Sequence, residues 1–146
     1  MEPLAIITLL GEKMNDADFD VQRQRLVALS EKWIKPLGLG WWNIAFAYHR
    51  DDYVPLGTTA RDDSLAKCRA SWRYGNALIS FNMPLVLEQD ETDLEVAFLH
   101  ELMHIFLNEM RWTADNSSDS LDHEERVAST LTKAFLWLRD SLVKDE

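Results

Sequence analysis

The sequence is poor in cysteine, in positive charge and in long apolar runs, and each shortage narrows the environments that suit it. It holds 146 residues with one cysteine, and 15 Lys and Arg residues stand against 25 Asp and Glu residues. Cys68 alone cannot form an internal disulfide, so we expect a reducing compartment and interpret its thiol as a small, inert side chain. The net charge of −10 argues against nucleic acid and anionic membranes as partners, because few cations can neutralise phosphates.

The N-terminal end has no pattern typical of export or of membrane insertion. The apolar run at residues 4–10 is too short to span a bilayer, and Glu2 stands where a secretory signal would carry basic residues. We therefore expect no membrane partner and a cytoplasmic location. A hydrophobic content of 47% in a chain of this length supports one core, so we expect one domain over residues 1–146 with one active site.

Hydrophobic periodicity and turn residues predict a helix, three strands and two further helices, in that order. The helices are predicted over residues 16–36, 90–112 and 121–143, and the strands over residues 41–49, 66–74 and 77–82. A polar loop over residues 50–64 follows the first strand, and Gly75-Asn76 predicts a hairpin between the other two. This order indicates an α+β domain in which a small antiparallel sheet of three strands packs on a layer of helices.

The helix over residues 90–112 is predicted to be buried. Its start has the spacing of a capping box, in which Glu95 reaches back to the amide of Thr92. Apolar side chains then occupy nearly every direction around the axis, and they are Leu94, Val96, Ala97, Phe98, Leu99, Leu102, Met103, Ile105, Phe106, Leu107 and Met110. A helix with no broad polar face packs inside a protein.

A metal-binding motif, His100-Glu101-Leu102-Met103-His104, lies in the middle of this helix. Histidines four residues apart differ by about 40° around a helix axis, so both imidazoles can bind one ion. Glu101 lies about 100° from His100, beside the ion, where its carboxylate can hold a water. The pattern indicates a zinc site with His100 and His104 as ligands and Glu101 as the general base.

Burial strengthens this interpretation. Two imidazoles and a carboxylate in an apolar helix cost several kcal/mol in lost hydration unless they are compensated, and a divalent cation compensates them well. The alternative is a pair of core histidines that bond to backbone carbonyls, with Glu101 directed to the surface.

A third protein ligand is expected on another element, because catalytic zinc takes three such ligands. The last predicted helix offers His123, Glu124 and Glu125. On a helical wheel Glu124 lies in the core-facing stripe and Glu125 lies at its edge, so the wheel favours Glu124. An alternative is a purely structural role for these acids, because Asp122 and Glu125 have the spacing of a capping box.

Two segments of the chain resemble the minimal gluzincins, the small relatives of thermolysin-type peptidases that include the ImmA/IrrE-type and phage-encoded metallopeptidases. The matching residues are Phe98-Leu99-His100-Glu101-Leu102-Met103-His104-Ile105-Phe106-Leu107 and Glu125-Arg126-Val127-Ala128-Ser129. The resemblance implies a zincin-like fold, bound Zn²⁺ and, for a phage-encoded chain, the host cytoplasm.

The resemblance also chooses between the acidic candidates. In that family the third ligand is a glutamate that opens the downstream helix, with a small residue three positions later and a polar residue after it. Glu125 has Ala128 and Ser129 in those places, whereas Glu124 has Val127 and Ala128. The expected metal ligands are therefore His100, His104 and Glu125, with Glu124 and His123 as alternatives.

The function implied is zinc-dependent hydrolysis of a peptide or protein substrate, with Glu101 taking a proton from the attacking water and returning it to the leaving amine. Tyr74 and His49 are candidates for stabilising the oxyanion, although no pattern places either near the metal. Two other functions stay open. One is an interaction or regulatory module of a phage or mobile element that keeps the fold without hydrolysis, and the other is a metal-dependent hydrolase with a non-peptide substrate.

Overall fold

The structure, a computed structural model, describes residues 14–50, 64–113 and 118–144. The apolar run at residues 4–10 and almost all of the predicted loop over residues 50–64 lie outside the described residues. The elements in chain order are α1 (Asp16–Trp33), β1 (Asn43–His49), β2 (Ala66–Ser71), β3 (Asn76–Asn82), α2 (Met83–Glu88), α3 (Glu91–Thr113) and α4 (Ser118–Lys144). The predicted α+β class is confirmed, with four helices and one three-stranded sheet in the described parts.

The sheet is mixed, so the prediction of an antiparallel sheet is wrong. Its strand order is β1-β3-β2, with β1 parallel to β3 and β2 antiparallel to β3. The apolar content of the strands gives the reason. β3 carries the fully buried Ile79 and Phe81 and takes the central place, while β2 carries Lys67 and Arg69, and charged side chains suit an edge strand. β1 pairs with the free side of β3, and the two strands run parallel.

The hairpin predicted at Gly75-Asn76 is confirmed. β2 and β3 are joined by residues 72–75, and the turn is closed by the N–H of Tyr74, which donates to the carbonyl of Ser71. Gly75 adopts a φ of 64°, and a Cβ there would lie 3.3 Å from the ring of Trp41. The turn therefore requires glycine for its backbone conformation as well as for the close approach of the ring.

One helix was not expected from the sequence. α2 follows β3 directly, has Pro84 in its first turn and buries Met83 and Val86 completely. Its six residues are too few to show a helical period, which is why the pattern of apolar residues does not reveal it.

The start of α3 differs from the predicted capping box. Asp90 caps the helix, since its carboxylate accepts the N–H of Asp93 at 2.7 Å. Glu95 turns inward, where Lys32 Nζ donates to it at 2.6 Å and Trp33 Nε1 at 2.9 Å, and Arg139 pairs with its other oxygen. Two cations and a tryptophan from distant parts of the sequence bind this carboxylate, and the backbone amide of Thr92 does not. Glu95 thereby joins α1, α3 and α4.

α4 packs antiparallel on α3, because Glu95 near the start of α3 pairs with Arg139 near the end of α4 and His104 lies against Glu124. Ala128 is fully buried, and a small side chain there allows the two helices to approach closely. α4 begins at Ser118, so the capping box predicted for Asp122 and Glu125 is wrong, and both lie inside the helix. Over the described residues, no helix is both long and apolar enough to cross a bilayer.

We predict that Glu95→Ala lowers the free energy of unfolding by about 2 kcal/mol at neutral pH, because it removes the charge-assisted hydrogen bonds of Lys32 and Arg139 and leaves the buried N–H of Trp33 without its acceptor. Burial alone would raise the pKa of Glu95, but the donors of Arg139, Lys32 and Trp33 lower it. The stabilisation is therefore present above the ordinary carboxyl pKa and lost as the pH falls through the lower folded value.

Urea unfolding of the wild type and the variant at a series of pH values measures this effect. Glu88→Ala is the matched control, since Glu88 is exposed at the end of α2, and it should change stability by less than about 0.5 kcal/mol. An equal loss at low and neutral pH would contradict the electrostatic origin.

Candidate metal centre

The two histidines of the motif converge on one point. The helix around them is buried on one side only, with Phe98, Leu99 and Leu102 fully inaccessible, whereas Val96, Phe106 and Met110 are exposed, so the prediction of burial all round the helix is wrong. His100 Nε2 and His104 Nε2 lie 3.2 Å apart, and their rings meet nearly edge to face, at 78°. Anchoring of the apolar neighbours on both sides fixes the helix rotation and directs both imidazoles to the side facing α4.

Glu125 on α4 completes the group. Its Oε2 lies 3.0 Å from His100 Nε2 and its Oε1 lies 3.1 Å from His104 Nε2. Its side chain is 60% exposed, so this carboxylate reaches the two rings from the solvent side. His100, His104 and Glu125 form a group whose ligand atoms lie within 4.8 Å of one another.

The dimensions of this group fit zinc. Ligand atoms at about 2.0–2.2 Å from a tetrahedral ion lie roughly 3.3 Å from one another. The two imidazole nitrogens lie 3.2 Å apart, and Glu125 approaches them with different oxygens, Oε2 at 3.0 Å from His100 and Oε1 at 3.1 Å from His104. Two imidazoles and a carboxylate are also a ligand set that catalytic zinc sites use. The residues present can therefore hold a divalent cation with little movement.

Glu124, the other acidic candidate, lies behind His104. Its Oε1 is 2.8 Å from His104 Nδ1, and its side chain is only 10% exposed. Because a carboxylate accepts hydrogen bonds, a proton on His104 Nδ1 would donate to Glu124 and leave Nε2, the atom that faces Glu125, to bind a cation. Arg111 Nε lies 3.2 Å from the other oxygen of Glu124, as an ion pair without hydrogen-bond geometry.

The placement of the three candidates follows from the wheel. Glu124 does lie on the buried side of α4, as its position in the apolar stripe indicates, but that side brings it to the outer nitrogen of His104. Glu125, at the edge of the stripe, reaches the inner nitrogens of both histidines. His123 is exposed and is not part of the group.

Glu101 is buried beside the ligands, so the alternative that directs it to the surface is wrong. Only 8% of it is exposed, and it lines a cavity of about 440 Å³ together with His100, His104 and Glu125. The pKa of Glu101 is raised to about 7. Burial is the main cause, His104 lowers the pKa, and the charge of Glu125 raises it. A carboxyl group with a pKa near neutrality can both accept and release a proton there.

The cavity continues along strand β2. A second cavity, of about 340 Å³, shares His104, Arg111 and Glu124 with the first, as well as Lys67 and Cys68 of β2. Together they form a groove between the edge of the sheet and the two helices. Burial, together with the charges of Glu101 and Glu124, raises the pKa of Cys68 to about 12. The thiol therefore stays protonated, in keeping with the inert role expected for it.

Sequence reasoning missed two residues of this groove, Asn108 and Arg111. Both follow His104 along one face of α3, at intervals of four and seven residues, and both line the 340 Å³ cavity. That spacing is the signal that could have found them. Tyr74 and His49 are not among the lining residues of either cavity, so neither is placed to stabilise an oxyanion there.

A scan against protein-family models, a search of curated proteins and a search of solved structures each found no match to this chain. Its function is therefore inferred from the chemistry of the residues in the groove.

We predict that Glu124→Ala weakens zinc binding about 10- to 100-fold, the usual cost of removing a carboxylate that orients a histidine ligand. Glu125→Ala should abolish tight binding, because it removes a ligand. Affinity is measured by competition with a chelator of known affinity. The matched control is Glu109→Ala, an exposed glutamate on α3, which should bind zinc like the wild type.

Two results would contradict this division of roles. Unchanged affinity in Glu124→Ala would remove its role in orienting His104. Complete loss of tight binding in Glu124→Ala, together with only a mild loss in Glu125→Ala, would make Glu124 the ligand.

Proposed function

We propose that this chain is a zincin-like peptidase of the minimal gluzincin type, in which His100, His104 and Glu125 hold Zn²⁺ and Glu101 is the general base. One observation carries the proposal: a ligand set suited to catalytic zinc and the buried carboxyl group of Glu101 line the same open cavity. A structural zinc site is closed by four protein ligands and needs no such carboxylate.

Zinc bound at this position would supply Lewis acidity and lower the pKa of a water molecule. Glu101 handles the proton, accepting it from the attacking water and delivering it to the nitrogen of the leaving amine. Its burial favours the protonated form, which a group that delivers a proton requires. With its proton on Nδ1, His104 would donate to Glu124 and present Nε2 to the ion.

An extended peptide is the substrate that suits the shape and charge of the groove. β2 is an edge strand, and among the described residues it pairs with β3 alone. Ala66 and Cys68 of this strand line the same cavity as the metal ligands, so a peptide lying in the groove can pair with the strand while its carbonyl meets the site. The net charge of −10 disfavours nucleic acid as the substrate.

The proposal is tested by zinc content and peptidase activity in the same preparations. The wild type should contain one equivalent of zinc by elemental analysis and cleave members of a random peptide mixture, as read by mass spectrometry. His104→Ala should contain none. Glu101→Gln should retain zinc and lose activity by roughly 10²- to 10⁴-fold, since it can no longer accept a proton. Glu109→Gln is the matched control and should behave like the wild type.

Each part of the proposal fails on a different result. Absence of zinc from the wild type would contradict the assignment of a metal centre. Full activity in zinc-loaded Glu101→Gln would contradict the role of Glu101 as general base. Zinc in the wild type without cleavage of any peptide would favour the interaction module over the peptidase.

A further inference from the structure

One side chain connects the metal-ligand helix directly to the edge of the sheet. Asn108 lies one turn after His104 on α3. Its Nδ2 donates to the carbonyl oxygen of Ala70 at 3.0 Å, and its Oδ1 accepts the N–H of Trp72 at 2.9 Å. The Asn108 amide thus bonds to the carbonyl and the N–H with which the end of β2 could pair with a neighbouring strand. It takes the place of a peptide group of such a strand.

These two bonds also fix which residues of β2 face outward. Along a strand, the N–H and C=O of alternate residues point to the same side. Since Ala70 and Trp72 point away from β3 to Asn108, the main-chain groups of Ala66 and Cys68 point away from β3 as well. Ala66 and Cys68 line the cavity of His100, His104 and Glu125, so the part of the edge that pairs with no strand among the described residues lies beside these side chains and ends at Asn108.

We propose that Asn108 sets the length of substrate that the groove can pair on the hairpin side of the metal. This inference rests on the proposed peptide substrate, for which it makes Asn108 a determinant of specificity. A peptide strand paired with Ala66 and Cys68 meets the Asn108 amide before it can pair with Ala70 and Trp72.

The helix gives the length of this limit. Four residues of α-helix from His104 to Asn108 advance about 6 Å. An extended chain advances about 3.3 Å per residue, so the groove holds roughly two residues between the metal and Asn108. Further residues on that side leave the strand edge and gain no main-chain hydrogen bonds.

The test is a ladder of fluorogenic peptides that are extended one residue at a time on each side of the cleaved bond. For the wild type, kcat/KM should rise over the first two residues on one side and then stay constant for the third and fourth. In Asn108→Ala the carbonyl of Ala70 and the N–H of Trp72 become open to the peptide. Two added hydrogen bonds should lower KM for the longer peptides roughly tenfold relative to the shorter ones.

A second variant and a control separate this role from simple loss of structure. Asn108→Asp keeps an acceptor for the N–H of Trp72 and loses the donor to Ala70, so its gain with longer peptides should be smaller. Asn43→Ala removes an exposed asparagine at the start of β1, on the opposite edge strand, and should leave the length dependence unchanged. Melting temperatures establish that each variant is folded, and Asn108→Asp alone carries the test if the alanine variant is not.

The same ladder can be read without turnover, by fluorescence anisotropy of labelled peptides on zinc-loaded Glu101→Gln protein. A two-residue limit in binding, together with an inactive wild type, would reject the proposed hydrolysis and keep the role of Asn108. Cleavage by the wild type with no limit on either side would overturn that role and keep the hydrolysis. An unchanged length dependence in both Asn108 variants would also overturn it, as would peptides that neither bind nor react.

Discussion

The close antiparallel packing of α3 on α4 is the constraint on which the rest of the molecule depends. Apolar contact around Ala128 holds the two helices together between polar clusters at either end. At one end Glu95 pairs with Arg139, and at the other His104 pairs with Glu124. Because both clusters are nonlocal, they fix the rotation and the register of one helix against the other. His100, His104 and Glu125 meet only when that register is correct.

The same packing explains how ionisable groups tolerate an apolar helix. Glu95 is satisfied by surrounding donors, which lower its pKa despite burial. Glu101 lacks such donors, and burial raises its pKa to about 7. The surroundings of these two glutamates, six residues apart on α3, therefore shift their pKa values in opposite directions. The first has the chemistry of a structural ion pair, and the second has that of an acid–base group.

Local patterns predicted what depends on local sequence. The helices α1, α3 and α4, the hairpin at Gly75, and the convergence of His100 and His104 follow from spacing along one segment. The mixed sheet, the inward turn of Glu95 and the place of Glu124 behind His104 depend on which elements become neighbours, and a single segment carries no signal for that. Glu125 was expected from a family resemblance, and the approach of α4 places it at the two rings.

The approach of Glu125 on α4 to His104 on α3 has a consequence for the stability of the chain. With one cysteine, this sequence has no internal disulfide available to restrict its unfolded state. An ion shared by His104 and Glu125 would close the chain between α3 and α4 as a reversible cross-link, formed only in the folded protein. Binding to the native state alone adds to its stability in proportion to the logarithm of free ion concentration. The free energy of unfolding would then rise with the local zinc concentration, independently of any substrate.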